Sequence, residues 1–234
     1  MENQDLTIRA IQREDNEEVF NLIYYESWNF KAKRIAFDFV KSKGFIAVQV
    51  IAVAIVTSTT CIRFYEALCI IGFMFPFLFY TLFPVIMYTY RSYTDPSLRD
   101  LQTDIYQHWS RPSRPDMKLW VAVIHSQVVG CIAVSPSTHM SIPSDPNQKT
   151  SNSNNALLMR LAVKTEYRGH SIGQRLVAHA IEFSRQQGFH QILLSTTKHQ
   201  PETQKLFEGF GFKHQNSCSM FFGLSQYLEY KLIL

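Results

Sequence analysis

Apolar residues along this chain recur with two spacings, one typical of strands and one typical of helices. Short apolar segments bounded by turn-forming residues predict strands in LTIRAIQ, KLWVAVI, QVVGCIAV, ALLMRLAVK and QILLSTT. Apolar residues three or four positions apart predict helices in EDNEEVFNLIYYES, IGQRLVAHAIEFSRQQ and PETQKLFEGF. The order is strand, helix, two strands, strand, helix, strand, helix, strand. This order predicts an α/β fold with a mixed sheet.

The connections between these segments carry their own signals. The polar turn HSQ predicts a hairpin between the second and third strands. The stretch from Ser135 to Asn155 is rich in Ser, Pro and Asn, which predicts a flexible loop before the strand Ala156 to Lys164. Gly188 is predicted to end the long helix, and the tail from Met220 to Leu234 closes with strand-like runs.

Two apolar runs interrupt this pattern near the middle of the chain. No charged residue lies between Gly44 and Ile62 or between Ala67 and Tyr90, and only RFYE separates the runs. Each run is long enough to cross a membrane as a helix. We therefore predict a membrane helical hairpin over residues 44–90, the alternative being a buried core hairpin. Pro76 and Pro84 leave open a kinked or re-entrant second segment.

Basic residues flank both ends of the predicted hairpin. They are Lys31, Lys33, Arg34, Lys41 and Lys43 before it, and Arg91, Arg99, Arg111 and Arg114 after it. Because basic flanks favour the cytosolic side, both ends are predicted to lie in the cytosol. The net charge of +4 suits an anionic cofactor or a membrane surface and does not indicate nucleic acid. The four cysteines lack the paired spacing of a zinc site, so no metal is predicted.

The stretch YRGHSIG, between a predicted strand and a predicted helix, carries the candidate chemistry. The first amides of a helix lack intrahelical partners and lie at the positive end of its dipole, so they can bind phosphate oxygens. The candidate amides are those of His170, Ser171, Ile172 and Gly173. Arg168 and Lys164 would add positive charge. The alternative is that Gly169 serves only the turn and Gly173 only helix packing.

Arg160 lies in the middle of an otherwise apolar strand. Strict alternation would place Arg160 and Ala162 on one face of that strand. Burying an arginine is costly unless it is paired. Two interpretations stay open: Arg160 binds the carboxylate of an amino-acid-like substrate, or it forms a structural ion pair with a residue such as Glu182 or Asp116.

The run RLAVKTEYRGHSIGQRLVAHAIEFSRQQGF, followed by ILLSTT and LFEGFGF, resembles the acetyl-CoA-binding core of the GCN5-related N-acetyltransferase (GNAT) superfamily. The signature of that superfamily is Gln/Arg-x-x-Gly-x-Gly/Ala. Together with the apolar insertion, the chain is similar to the camello-like N-acetyltransferases, which include the N-acetyltransferase 8 group. The resemblance implies a GNAT fold, with a mostly antiparallel sheet flanked by helices. Residues 1–43 and 91–234 would form the acetyltransferase domain, and residues 44–90 the inserted membrane hairpin.

The resemblance also implies roles for individual residues. It assigns the strand edge that pairs with the pantetheine arm to Leu161, Ala162 and Val163. It assigns the pyrophosphate loop to Arg168, Gly169, His170, Ser171, Ile172 and Gly173, with Gln200 and Lys205 as further cofactor neighbours. Two residues depart from the family pattern. Ser171 replaces the inner glycine of the signature, and Phe207 replaces a tyrosine that serves many members as general acid.

The implied activity is transfer of acetyl from acetyl-CoA to a primary amine. The acceptor would be an amino-acid-like molecule, such as a cysteine S-conjugate or aspartate, or a protein lysine. The implied setting is a lipid bilayer, of the endoplasmic reticulum or Golgi, with the catalytic domain facing the cytosol and no nucleic-acid partner. Because phenylalanine cannot donate a proton, no catalytic acid or base is assigned. The alternative is a weakly active or inactive GNAT-fold membrane protein that binds CoA or a partner.

Overall fold

The computed structural model describes residues 6–23, 72, 104–137, 154–220 and 225–234. The chain divides into two units, one formed by Met1–Ala32 with Asp100–Leu234 and the other by Lys33–Arg99. The predicted membrane hairpin over residues 44–90 lies outside the described residues, apart from Gly72. Within the described ranges, no helix has the length and hydrophobicity needed to cross a bilayer. The hairpin therefore stays a prediction.

One sheet organises the first unit. Its strands are β1 (Thr7–Ala10), β2 (Lys118–Ile124), β3 (Gln127–Pro136), β4 (Asn155–Val163), β5 (Gln191–Thr197), β6 (Lys213–Met220) and β7 (Ser225–Ile233). The helices are α1 (Asn16–Asn21), α2 (Ile105–Trp109), α3 (Ile172–Gln186) and α4 (Pro201–Gly209). The strand order is β1-β2-β3-β4-β5-β7-β6, and only the β4–β5 pair is parallel. The predicted mixed, mostly antiparallel sheet is confirmed.

The turn between β2 and β3 has the geometry of a two-residue hairpin loop. His125 and Ser126 have φ of 48° and 63°. Positive φ at both central residues is the mark of a type I′ turn, whose twist matches that of the flanking strands. The predicted hairpin is confirmed, and β3 extends to Pro136, one residue beyond Ser135, where the loop was predicted to begin.

Helix α3 covers one face of the sheet with the apolar stripe that its sequence predicts. The stripe residues are buried: Ile172, Leu176, Ala180 and Phe183. The helix ends where a glycine takes φ of +72°, at Gly188. The amide of Gly188 donates to the carbonyl of Arg185 (2.9 Å) and that of Phe189 donates to Ser184 (3.1 Å), closing the last turn.

Strand β6 was not predicted from the sequence. Its residues KHQNSCSM are polar without a regular apolar alternation, and it occupies the edge of the sheet, paired only with β7. The residues from Lys213 to Ser217 are exposed. An edge strand with little burial on either face has no need of apolar residues, so periodicity cannot reveal it.

Two segments that flank the predicted hairpin in sequence meet through Asn16 of α1. Its side-chain amide donates to Asp104 Oδ1 (2.7 Å), and its Oδ1 accepts from the backbone amide of Tyr106 (2.8 Å). Asp104 also accepts from the amide of Gln107, as the N-cap of α2. The hydrogen bond from Asn16, with that from the Gln107 amide, lowers the pKa of Asp104. Helices α1 and α2 are thus held together.

Candidate active site

Strands β4 and β5 pair along only part of their length. The parallel ladder joins Asn155–Leu157 to Gln191–Leu193 and stops there. Beyond it, β5 is paired only with β7, and β4 only with β3. Within these described strands, the facing edges of 158–163 and 194–197 carry backbone groups with no ladder between them. An extended ligand with amide groups can satisfy such edges.

A β-bulge lies at the position where β4 leaves β5. Cys131 of β3 pairs with Ala162, whereas Ala133 pairs with Met159, so β4 has one extra residue in this interval. Arg160 lies in it, with φ of +60°. Such a conformation is costly for a residue with a Cβ atom. Bulges of this kind bend a strand and increase its twist, and this one lies at the mouth of the gap.

The bulge overturns the predicted face of Arg160. Ala156 and Leu158 belong to the core under α3, and Leu161 and Val163 pack against that same core. The inward-facing residues therefore change from even to odd numbers across the extra residue. The strict alternation that would place Arg160 and Ala162 on one face therefore does not hold here, because one inserted residue reverses every side chain after it.

The loop after β4 is tied to the end of the strand. Residues Thr165–Tyr167 form a 3-10 turn, and Arg168 Nε donates to the backbone oxygen of Val163 (3.1 Å). Gly169 then takes φ of +82°. The predicted strand edge and the predicted phosphate loop are therefore contiguous in space.

Helix α3 begins with amides available to an anion. Its first backbone bond runs from Arg175 N to Ser171 O (3.0 Å), so the amides of Ile172 and Gly173 precede any intrahelical partner. Ser171 takes φ of 59° and ψ of 12°, and its hydroxyl does not cap the helix. A serine in the usual N-cap conformation would bind one of these amides itself. Backbone amides at a helix N-terminus are groups that bind phosphate, so the loop expected at residues 168–173 is chemically suited to the diphosphate of CoA.

Three elements converge at Gly173. A Cβ atom there would lie 3.5 Å from Leu206 Cδ2 of α4 and 3.9 Å from Val163 Cγ2 of β4, both ordinary contact distances. These distances would also accommodate a Cβ atom, so close packing alone does not require glycine at this position. The role of Gly173 in the phosphate loop stays a prediction.

Gly130 of β3 is a site residue that the sequence analysis did not identify. A Cβ atom on Gly130 would lie 3.1 Å from Leu176 Cδ1, 3.2 Å from the oxygen of Ala162 and 3.3 Å from Ile172 Cγ2. These distances are too short for a side chain without movement of the neighbours. Gly130 therefore lets the start of α3 rest directly on the sheet. A glycine inside a strand pattern is the signal that could have found it.

Positive charge at the loop comes from Arg168, whose side chain is exposed. Lys164, predicted as a second source, instead lies 3.8 Å from Glu18 Oε2 of α1. Glu18 also accepts from the amide of Val128 (3.0 Å). This ion pair therefore joins the end of β4 to α1.

His170 stabilises the loop through its ring. Its Nδ1 lies 3.1 Å from the oxygen of Arg168 and 3.4 Å from that of Tyr167. Because carbonyl oxygens only accept, Nδ1 carries the proton in this arrangement. The ring of His170 thus supports the turn, and the predicted ligand contact is left to its backbone amide.

A hydrogen-bonded group of side chains lies at the end of β5, across the gap. Gln200 Oε1 accepts from the hydroxyls of Thr196 (3.2 Å) and Thr197 (3.5 Å), and Gln204 donates to the oxygen of Thr197 (2.9 Å). With its oxygen engaged, Gln200 directs its NH₂ donors away from the threonines. The place of Gln200 beside the cofactor stays a prediction. Lys205, also predicted there, is exposed on α4.

Phe207 is part of the core. Its side chain is buried, and its ring centroid lies 5.4 Å from that of Phe212 at an interplanar angle of 58°. It offers no proton to a leaving thiolate. The buried Tyr230 donates to Glu208 Oε1 (3.1 Å), and burial together with that carboxylate raises its pKa.

Glu182, one of the two carboxylates suggested as partners of Arg160, has contacts within α3. Glu182 lies 4.0 Å from Arg185 and accepts from Gln186 (3.0 Å), both on its own helix. Across the part of the chain that is described, no three His, Cys, Asp or Glu side chains are arranged to hold a metal ion.

The chain is similar in sequence to several curated proteins and in fold to solved structures. The chain is 28% identical to N-acetylaspartate synthetase of Mus musculus over 126 residues. This matched region is 54% of this chain and 37% of the relative. The chain is also 34% identical to N-acetyltransferase 8F1 of Rattus norvegicus over 107 residues, a region that is 45% of this chain and 44% of the relative. The chain thus spans less than half the length of these curated relatives.

Among solved structures, ribosomal-protein-alanine N-acetyltransferase from Brucella melitensis superposes with a TM-score of 0.54 at 16% identity, covering 97% of this chain and 99% of that one. At this identity the likeness supports the fold alone. The sequence profile of the Acetyltransferase (GNAT) family matches residues 83–212, more than half of the 234 residues. Members of the family use acetyl-CoA as co-substrate. The chain belongs to the acetyltransferase (GNAT) family.

Proposed function

We propose that this chain is an acetyl-CoA-dependent N-acetyltransferase that acts on a primary amine. The observation that carries the proposal is the gap between β4 and β5, which leads to the N-terminus of α3. The unpaired edge at Leu161–Val163 suits the amides of pantetheine, and the loop from Arg168 to Gly173 suits the diphosphate. Family membership supports the same donor.

The chemistry requires few protein groups. A neutral amine attacks the thioester carbonyl, so a C–N bond forms and the C–S bond breaks. The amine proton passes to solvent or a nearby base, and the CoA thiolate takes up a proton. Backbone amides near Val163 would polarise the carbonyl. Because Phe207 cannot supply the thiolate proton, catalysis would rest chiefly on holding amine and thioester in contact.

We propose an acceptor that combines an amine with a carboxylate. One relative's name specifies N-acetylaspartate as its product, and Arg160, in the β4 bulge, carries the positive charge that a carboxylate requires. A protein lysine is the other acceptor class that the family allows. We also propose that residues 44–90 anchor the enzyme in the endoplasmic reticulum or Golgi membrane, with the site facing the cytosol, as the charge-free runs and basic flanks support.

An acceptor panel tests the proposal. The full chain, purified in detergent micelles, is incubated with acetyl-CoA and aspartate, a cysteine S-conjugate or a lysine peptide, and free thiol is measured. We expect turnover with an amino-acid acceptor. We expect Arg160→Gln to raise the acceptor KM by about tenfold or more. Arg185→Gln, at the far end of α3, is the control. Turnover only with lysine peptides would contradict the amino-acid acceptor.

A second candidate function is CoA or partner binding without catalysis. Two observations favour it: Ser171 carries a Cβ atom in the phosphate loop, and Phe207 lacks a hydroxyl. Calorimetric binding of acetyl-CoA without turnover across the panel would support this candidate. Absence of acetyl-CoA binding would contradict both the enzymatic function and the CoA-binding candidate.

A further inference from the structure

Cys131 contacts the backbone of the β4 bulge from the neighbouring strand. Its Sγ donates to the carbonyl oxygen of Arg160 at 3.2 Å. The thiol thus engages the backbone within the bulge. Cys131 is completely buried.

The carbonyl that Cys131 binds belongs to the bulge itself. The extra residue in β4 interrupts the ladder to β3 at this point, and positive φ at Arg160 turns its peptide groups out of the strand pattern. The thiol hydrogen bond holds this carbonyl in the bulge conformation from the neighbouring strand. Burial raises the pKa of the Cys131 thiol to about 12, so the thiol keeps its proton and remains a donor.

We propose that Cys131 is a positioning residue that fixes the bulge at Arg160 and thereby sets the opening between β4 and β5 for the pantetheine arm. This inference rests on the proposed acetyl-CoA binding. Cys131 touches neither the cofactor nor the reacting atoms in this scheme. Its effect reaches the ligand through Leu161–Val163, the edge that β4 offers to the gap.

The test compares variants that separate volume from hydrogen bonding. Cys131→Val removes the donor and keeps the site filled, whereas Cys131→Ser keeps a donor. Val121→Ala is the matched control, because Val121 of β2 is equally buried and pairs with Cys131 on the side away from β4. We expect Cys131→Val to weaken calorimetric binding of acetyl-CoA by about three- to tenfold. Cys131→Ser is expected to restore binding to within about twofold, and Val121→Ala to lower the melting temperature with unchanged binding.

Hydrogen exchange of the unliganded full chain gives a second readout. We expect faster amide exchange over residues 158–164 in Cys131→Val than in the wild type, and no such local change in Val121→Ala. If the wild type binds acetyl-CoA and Cys131→Val binds it equally well, the positioning role is overturned and the proposed function stands. Absence of wild-type binding overturns the proposed function and the pantetheine role, and the exchange data then show whether Cys131 still fixes the bulge. Equal exchange in all variants overturns that structural role.

Discussion

Gly130 of β3 and Leu176 of α3 are so close that a Cβ atom on Gly130 would lie 3.1 Å from Leu176 Cδ1. This contact sets the height of the start of α3 above the sheet. We expect Gly130→Ala to push the helix start outward, which lowers stability by about 1–3 kcal/mol. The same shift should raise the KM for acetyl-CoA by about threefold or more, because the phosphate amides move with the helix.

Gly209→Ala is the control for this substitution. Gly209 ends α4, and a Cβ atom there would meet no atom within 4 Å. We expect it to leave both stability and the KM for acetyl-CoA nearly unchanged. A Gly130→Ala variant that behaves like Gly209→Ala would show that the close approach does not position the helix.

Ser171→Gly should stabilise the chain and strengthen acetyl-CoA binding. A left-handed conformation costs a residue with a Cβ atom about 1–2 kcal/mol, and the added freedom of glycine when unfolded offsets part of that relief. We expect a net gain of about 0.5–1 kcal/mol in thermal unfolding. Ser126→Gly, in the β2–β3 turn with φ of 63°, should gain similar stability without tighter binding. Tighter binding in both variants would exclude a local effect at the loop.

Phe207→Tyr tests whether protonation of the leaving thiolate limits the rate. Because Phe207 is buried against Phe212, its added hydroxyl should cost about 1–3 kcal/mol of stability. We expect kcat to change by less than about threefold, since positioning carries the reaction. Phe212→Tyr controls for the cost of burying a hydroxyl. A kcat that rises tenfold only in Phe207→Tyr would show that acid catalysis limits the present enzyme.

His179 makes stability depend on pH. It lies on α3 edge-on to Trp120, with ring centroids 5.1 Å apart, and partial burial lowers its pKa below the usual 6.5. The unfolded chain therefore binds more protons than the folded one between the two values, and stability falls as pH drops below about 6.5. We expect His179→Gln to flatten this part of the curve of melting temperature against pH. An unchanged curve would remove His179 as the cause.

The sequence predicted the elements that bury apolar faces. Helix α3 is an example, because Leu176 and Ala180 follow the helical spacing that the core requires. Strand β6 escaped prediction because its edge position needs no such pattern. The bulge at Arg160 escaped prediction as well, since alternation presumes an unbroken ladder and an inserted residue leaves no periodic signal.

The parts of the candidate site that depend on glycine positions, and on the order of strand, turn and helix along the chain, were predictable. Residues 168–173 lie at the start of α3 as predicted, and the structure adds the left-handed conformation of Ser171. The ion pair of Lys164 with Glu18 could not be predicted, because α1 and β4 are brought together only by tertiary packing. Cys131 was not assigned a role, because its partner is a carbonyl within the bulge, which the sequence does not reveal.

The central claim is that acetyl-CoA occupies the gap between β4 and β5 and the N-terminus of α3. Amide hydrogen exchange of the full chain, with and without saturating acetyl-CoA, tests it directly. We expect slower exchange in residues 158–164, 168–176 and 194–200, with residues 7–10 and 213–220 unchanged. Protection absent from those three segments, or confined to β1 or β6, would contradict the claim.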